Sequence, residues 1–439
     1  MASQLLRFSA PFLLSMLIQQ CYSMADLLIV SHFAGEASVA GVNNGGQLTF
    51  LATAMAIGLS IGGTILIGQY FGAKRMEDVQ KTASTMLTAL LIVAALMAAV
   101  FYPLSGLLLR ALRVPAESYS EAWRYLTICL GGLPFIFLYN AISGILRGLG
   151  DSKRPLLFVT GACLINVFLD LLLVAVFHMD AAGAAIATVF SQALSVIVSA
   201  VYLARSGFMF DFKPKSFVIH RAKLKLILRL GIPACLSQVA VNFSFLLMTS
   251  LLNRYGVFVS AAAGLAGRFN GFAIMPAQAI SNSVAMMSAQ NLGANRHDRA
   301  LHTTRVGICI SLVIGTAVFL AAQFLPQQIM GVLSKSSAVI EAGAIYMKAF
   351  SWDYLLVPFA FCFVGLINGA GHSHIILINT FITSIGLRVP AALLLSRTLG
   401  LGMRGVGLAA PVATVGSVAF LFCYLASGRW HDVIIHKTS

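Results

Sequence analysis

Long apolar stretches with few charged residues recur along the chain from residue 9 to residue 426. A stretch of about 20 apolar residues is long enough to cross the hydrocarbon core of a bilayer as a helix. By this criterion the sequence predicts an all-α polytopic membrane protein with twelve transmembrane helices. The predicted spans are 9–31, 46–70, 84–106, 123–146, 156–177, 181–204, 227–252, 258–290, 304–324, 347–368, 375–397 and 405–426.

The chain also repeats itself at an offset of 221–224 residues. Four pairs of short segments match in order: LRFSAP (6–11) with LRLGIP (228–233), QYFGAK (69–74) with QNLGAN (290–295), GILRGLGDS (144–152) with GLINGAGHS (365–373), and GAAIATV (183–189) with GLAAPVA (407–413). Such a period predicts two pseudo-symmetric six-helix lobes, arranged as parallel repeats of the kind found in secondary transporters. We expect an N-terminal lobe over 1–204, a cytoplasmic linker over 205–226, and a C-terminal lobe with a short cytoplasmic tail over 227–439.

The distribution of charged residues among the loops predicts the orientation of the chain in the membrane. Only 10% of the residues are charged, against roughly 25% in soluble domains, and the formal net charge is +15. Of the 29 lysines and arginines, 19 fall on the side that holds both termini and eight on the opposite side. Basic loops face the cytoplasm in membrane proteins, so we expect both termini there. The same bias explains the positive charge without a nucleic-acid partner.

Two acids lie deep inside predicted spans. These are Asp26 and Asp170, whereas the other twelve acidic residues fall in loops or at span ends. Even the gentler scales put an Asp at a helix centre at about 2.5–3.5 kcal/mol, and acids kept there commonly mark ion pathways. Asn166 precedes Asp170 by four residues and shares its helix face. Because the repeat counterparts of both acids are apolar, we expect the acids in the N-terminal lobe alone.

Other polar residues inside spans are candidates for a substrate cavity. Gln19, Tyr22 and Asp26 form one stripe of the first span. Arg268 lies well within the eighth span, and we expect it to face the cavity and to answer Asp26 or Asp170 in one state. Arg388 is the second arginine inside a span.

Several segments resemble the MATE (multidrug and toxic compound extrusion) family. They are PFLLSMLIQQCYSMADLLIV, IGQYFGAKR, ILRGLGDSKRP, NVFLDLLLV, AAGAAIATVFSQ, AAGLAGRFNGFAIMPAQAI and SAQNLGANRHDRA. The resemblance covers almost the whole chain. It implies secondary active export of amphipathic organic cations by alternating access, driven by inward flow of H⁺ or Na⁺. Gln238 stands where NorM-like members carry a glutamate, which favours the bacterial DinF-like branch.

The resemblance also implies roles for single residues. The ion-coupling network would be Asp26, Asn166, Asp170 and Thr188, with Na⁺ as an alternative to H⁺ at Asn166, Asp170 and Thr188. Substrate-cavity positions would be Gln19, Tyr22 and Asn140, to which we add Arg268. We expect no enzyme activity and no cofactor, a monomer in the bacterial inner (cell) membrane, and small organic cations and membrane lipids as partners.

Two other functions deserve weighing. GLGD at 148–151 matches the pattern around a catalytic aspartate of intramembrane proteases, but the following SKRP places Asp151 in a loop. A flippase for lipid-linked oligosaccharides or lipids, from the same superfamily, is the stronger alternative. Two embedded acids favour cationic cargo, whereas Arg268 and Arg388 suit an anionic one.

Overall fold

The computed structural model describes residues 1–205, 210 and 212–437, and almost all of them are helical. Twelve of its helices are long and apolar enough to cross a membrane, which confirms the predicted fold class. The first six are α1 (Ala2–Phe33), α2 (Gly35–Gly72), α3 (Met76–Ala111), α4 (Ala116–Gly148), α5 (Lys153–Asp170) with its extension to Val176, and α6 (Asp180–Arg205).

The second half follows the same order with more interruptions. Its helices are α7 (Arg221–Asn253), α8 (Val257–Gly293), α9 (His297–Phe324), α10 (Pro326–Leu333), α11 (Ser337–Phe350), α12 (Asp353–Ala370), α13 (Ser373–Thr380), α14 (Arg388–Leu393) and α15 (Gly402–Ala426). The tenth span, predicted as one helix over 347–368, divides into α11 and α12 at Ser351 and Trp352. Both of these residues keep right-handed helical dihedral angles, so the irregularity is local.

Two spans contain turns wound more widely than an α-helix. After Asp170 the chain continues as a π-helical segment, Leu171–Val176. Its counterpart in the second half is π-helical at Phe381–Leu387, before α14, and again at Leu394–Thr398. Such segments are rare in proteins, and those that occur are often found at functional sites.

The chain forms two compact units. The N-terminal unit is Pro11–Cys235, and the C-terminal unit is Met1–Ala10 together with Leu236–Ser439. The division therefore falls inside α1 and α7, directly before Pro11 in the first and two residues after Pro233 in the second, the prolines that end the matched segments LRFSAP and LRLGIP. The lobe boundaries expected from sequence remain predictions, and residues 206–209 and 211 of the expected linker lie outside the described residues.

The internal repeat is also visible in a hydrogen bond that occurs at equivalent positions of the two units. In the N-terminal unit the Ser60 hydroxyl donates to the carbonyl oxygen of Asn140 at 2.8 Å. In the C-terminal unit Ser281 donates to the carbonyl of Phe361 at 2.6 Å. Both members of the pair are shifted by 221 residues, so the same bond joins α2 to α4 and α8 to α12.

Close contact between these helices depends on small residues. A Cβ atom added at Gly365 of α12 would lie 2.6 Å from the carbonyl oxygen of Ser281 on α8, closer than atoms pack. A Cβ atom added at the equivalent Gly144 on α4 would lie 2.5 Å from the hydroxyl oxygens of Ser60 and Thr64 on α2. Glycine at such a position lets two membrane helices approach and exchange hydrogen bonds.

We expect Gly365→Ala to destabilise the C-terminal unit by about 1–3 kcal/mol, because the backbone carbonyl cannot yield without separating the helices. Thermal melting of the purified protein in detergent measures the loss. Gly264→Ala is the matched control, since nothing lies within 4 Å of a Cβ at that helical position. Equal melting temperatures for the two variants would contradict the packing argument.

Candidate functional site

Helix α5 is amphipathic with its polar side buried. Leu157, Leu164 and Phe168 form a stripe that is 64–69% exposed, as suits a surface facing lipid. Asn166 and Asp170 lie on the opposite face and are 1% and 0% exposed. Because hydrocarbon cannot solvate a carboxyl group, the helix must present these polar residues to the interior of the unit.

Helix α1 brings the second acid to the first. Asp26 is half-buried, and its side chain lies within hydrogen-bonding range of Asp170. One oxygen of each carboxyl, Oδ1 in both cases, has no hydrogen-bond partner among the described residues. The two acids singled out from the sequence therefore form one buried pair with unused acceptor capacity.

Asn166 connects the pair to α6. With the amide oriented so that both ends are satisfied, its nitrogen donates to Asp170 Oδ2 at 3.0 Å and its oxygen accepts from the Thr188 backbone N–H at 3.2 Å. In the opposite orientation the nitrogen lies 3.4 Å from the Thr188 hydroxyl. The first orientation joins Asn166, Asp170 and Thr188 directly and Asp26 through Asp170, whereas the second joins only Asn166 and Thr188.

The residues expected to line a substrate cavity have different surroundings in the structure. Tyr22, one turn before Asp26 on α1, lies within electrostatic range of both acids. Asn140 is half-buried and donates to the Ile136 carbonyl of its own helix at 2.8 Å. Gln19 is exposed, and neither it nor Asn140 makes a described hydrogen bond to the acid pair. The structure thus brings Tyr22 close to the acids, whereas the roles expected for Gln19 and Asn140 stay predictions.

Three residues near the acids escaped the sequence analysis. The Cys129 thiol contacts the side chains of Tyr125, one turn earlier on α4, and Thr49 on α2, and it lies within electrostatic range of Asp26. Cys129 is fully buried and Tyr125 is 8% exposed. A tyrosine and a cysteine spaced four apart in an apolar helix give no signal that separates them from ordinary packing.

The C-terminal unit corrects the expectation that only one half carries acids. Asp353, taken as a span-end residue, is 5% exposed at the first position of α12. Arg388 is half-buried in the same unit, with its guanidinium 4.7 Å from the centre of the Phe245 ring. Arg268, in contrast, is exposed on α8 and forms none of the described ion pairs. Its partnership with Asp26 or Asp170 stays a prediction.

The described residues contain no group of three or more His, Cys, Asp and Glu that could hold a metal ion. Asp151, the acid of the GLGD sequence, accepts hydrogen bonds from the backbone N–H groups of Lys153 and Arg154 at 3.0 and 3.1 Å. It caps the first turn of α5, which accounts for its position without catalysis.

Comparison with known proteins decides the family. The model of the family described as MatE matches residues 11–172 and 233–394, one copy in each half of the chain. The chain belongs to the MatE family. Its members are transporters, so this MatE protein is a multi-pass membrane transporter and not an enzyme, and the family needs no cofactor.

Relatives and solved structures agree with this assignment. The MatE protein is 30% identical over 97% of its length to the probable multidrug resistance protein YpnP of Bacillus subtilis (strain 168), covering 95% of it. It is 28% identical over 95% of its length to the probable multidrug resistance protein YoeA of the same organism, covering 92%. Its fold matches an outward-facing multidrug resistance MATE transporter of the MOP superfamily at a TM-score of 0.91, with 24% identity and coverage of 98% and 96%. The resemblance seen in the sequence is confirmed, whereas the DinF-like branch stays a prediction.

We expect Asn166→Leu to lower stability by about 1–3 kcal/mol, because it removes the amide that donates a hydrogen bond to the buried Asp170 carboxyl. Thermal melting of the purified MatE protein measures the change. Asn242→Leu is the control, since Asn242 donates only to the Gln238 carbonyl of its own helix at an exposed site. A loss no larger at Asn166 than at Asn242 would contradict the bridging role of the amide.

Proposed function

We propose that this transporter exports small amphipathic organic cations in exchange for protons that enter the cell, by alternating access. The relatives named as multidrug resistance proteins support the cargo class. The buried acid pair supports the exchange mechanism, and its geometry is the observation on which the proposal rests.

Two carboxyls within hydrogen-bonding range cannot both be ionised unless a cation neutralises one of them. The Asp26–Asp170 pair therefore holds one proton in the arrangement seen here. Losing that proton leaves a second negative charge inside the unit, which is stabilised only by water or by another cation. Proton and cationic cargo then compete for the same charge, and this competition is what couples their opposite movements.

The orientation of Asn166 favours H⁺ over Na⁺ as the coupling ion. Sodium is a hard cation that needs several oxygen ligands, and the expected set was Asn166, Asp170 and Thr188. With its amide satisfied, Asn166 turns its nitrogen toward Asp170 and uses its oxygen for the Thr188 N–H. Of the expected set, that leaves the Asp170 carboxyl and the Thr188 hydroxyl, so a sodium ion would also need oxygens from Asp26, whereas a proton needs only the carboxyl pair.

The proposal also includes the membrane, the oligomeric state and the orientation of the transporter. We place the transporter in the bacterial cell membrane as a monomer, in contact with lipids and with both termini in the cytoplasm. The excess of lysine and arginine in the loops on the terminal side supports this orientation.

We expect Asp170→Asn to abolish transport of a fluorescent organic cation driven by a pH gradient in proteoliposomes, with a loss of at least about tenfold in rate. The amide keeps the shape and the contact with Asn166 but cannot take up and release a proton. Melting temperature and monodispersity in detergent establish that the variant folds.

Glu36→Gln is the matched control, because Glu36 is an exposed acid in the first turn of α2. It should transport at the wild-type rate. Full activity of Asp170→Asn would refute the coupling role of the pair. Transport driven by a sodium gradient alone would replace H⁺ by Na⁺, and a cell-envelope sugar defect without drug sensitivity on deletion would favour the flippase.

The predicted orientation is tested separately with reporters fused to the C-terminus. Green fluorescent protein should fluoresce there and alkaline phosphatase should stay inactive, because the phosphatase needs the oxidising side of the membrane to form its disulfides. An active phosphatase fusion would reverse the assigned sidedness.

A further inference from the structure

The C-terminal unit carries a positive charge in the middle of a membrane span. Arg388 begins α14, between the two π-helical segments of the span Ser373–Thr398. Ten residues separate it from the end of the span at Thr398, a rise of about 15 Å and hence about half the thickness of the hydrocarbon core. A charged side chain at this depth cannot face lipid, so it must face the interior of the unit or water.

The π-helical segment before Arg388 determines which residue of the first unit is its counterpart. The segments GILRGLGDS and GLINGAGHS, which precede the two spans, match at an offset of 221. A π-helical turn holds one residue more than an α-helical turn, and Phe381–Leu387 lies between this match and Arg388. Beyond the surplus residue the offset becomes 222, so Arg388 corresponds to Asn166. By the same count the buried Ala392 corresponds to Asp170. The second unit thus has a guanidinium where the first has an amide and a carboxyl.

The Arg388 side chain is positioned by an aromatic ring. Its guanidinium lies over Phe245 of α7, 4.7 Å from the ring centre. Next to Phe245, the Ser244 hydroxyl donates to the carbonyl oxygen of Ser384 at 2.6 Å, which fixes α7 to the π-helical segment before Arg388. The Arg388 Nε is buried without a hydrogen-bond partner among the described residues. Because the N–H groups of a guanidinium lie in its own plane, a ring below that plane leaves them available to another ligand.

Two other groups lie within electrostatic range of Arg388. They are the carboxyl of Asp353 on α12 and the hydroxyl of Tyr346 on α11. The Asp353 carboxyl is hydrogen-bonded with the side chain of Thr414 on α15, and none of the described ion pairs joins it to Arg388. Asp353 therefore offsets part of the positive charge from a distance, while the N–H donors of the guanidinium stay available to an anionic group.

The ring and the guanidinium can both be reached from outside the unit. Phe245 is 52% exposed and Arg388 is half-buried. Because a charge in the middle of a span excludes lipid from its surroundings, the exposed side of this pair faces water. An exposed ring beside a guanidinium with free donors suits a flat aromatic molecule that carries a carboxylate. The aromatic body packs against Phe245, and two guanidinium N–H groups bind the two carboxylate oxygens.

We propose that Arg388, together with Phe245, is a cargo subsite that binds the carboxylate of amphipathic zwitterions. The proposal rests on the proposed function and deepens it, since it adds molecules with both an amine and a carboxylate to the organic cations. The carboxylate replaces water as the ligand of the guanidinium, and the two charges neutralise each other. A cation without a carboxylate makes no such contact. Arg388 therefore determines which cargo charges the transporter accepts.

Two dyes that differ only in the carboxylate test the proposal. A rhodamine methyl ester is a cation, whereas the free acid of the same dye is a zwitterion at neutral pH. Transport in proteoliposomes with an imposed pH gradient gives a KM for each dye. The wild type should transport the acid with a KM no higher than that of the ester. Arg388→Gln should raise the KM of the acid by at least about tenfold and leave that of the ester within about twofold, because only the acid loses a bidentate ion pair.

Arg397→Gln is the matched control, because Arg397 is an exposed arginine near the end of the same span, and it should keep both wild-type values. A wild type that transports the ester but not the acid overturns the subsite, as does Arg388→Gln with an unchanged ratio of the two KM values. Should Arg388→Gln fail to fold, Arg388→Lys decides. It keeps the charge but lacks the bidentate fork, so it should raise the acid-to-ester ratio of KM values by at least about threefold. A wild type that transports neither dye removes the proposed function and the subsite with it.

Discussion

Two carboxyl groups held together inside an apolar helix bundle are the constraint on which the functional site depends. Water cannot share the negative charge there, so a proton or another cation must. The rest of the local structure maintains this condition. Helix α5 turns its leucines and Phe168 outward and its polar residues inward, and the Asn166 amide fixes Asp170 to the backbone of α6. Binding of a cation in this unit is therefore a direct consequence of helix orientation.

The same scaffold holds different charges in the second unit. Counting 221 residues forward, Tyr125 becomes Tyr346 and Thr49 becomes Asn270, and the hydrogen bond that joins α2 to α4 recurs between α8 and α12. Where the first unit has Asn166, the second has Arg388 within one position. The duplication kept the packing of the helices, because helix contacts constrain small residues and hydroxyls strictly. Charge at the centre of each unit changed independently.

Hydropathy and repeats were enough to predict most of the fold. A membrane span must be apolar over most of its length, and matched segments at a constant offset indicate a duplication. The acid pair was also predictable, because Asp26 and Asp170 are isolated charges in long apolar runs. Asp353 was not. It lies near the predicted end of a span, where an acid is common, and its burial depends on how the helices of the C-terminal unit pack. Tyr125 and Cys129 read as packing residues until their contacts are seen. The π-helical turns have no sequence signal at all, since they depend on how neighbouring helices pack.

The widened turns after Asp170 have a geometric consequence. A π-helical segment holds a surplus residue relative to an α-helix, and an α-helix rotates by about 100° for each residue. If the π-helical turn moved along the helix, the side chains of the residues that it passed would rotate about the helix axis. The backbone would stay hydrogen-bonded throughout. If the surplus residue moved past Asp170, the carboxyl would turn by about 100° about the helix axis while the span kept its backbone hydrogen bonds.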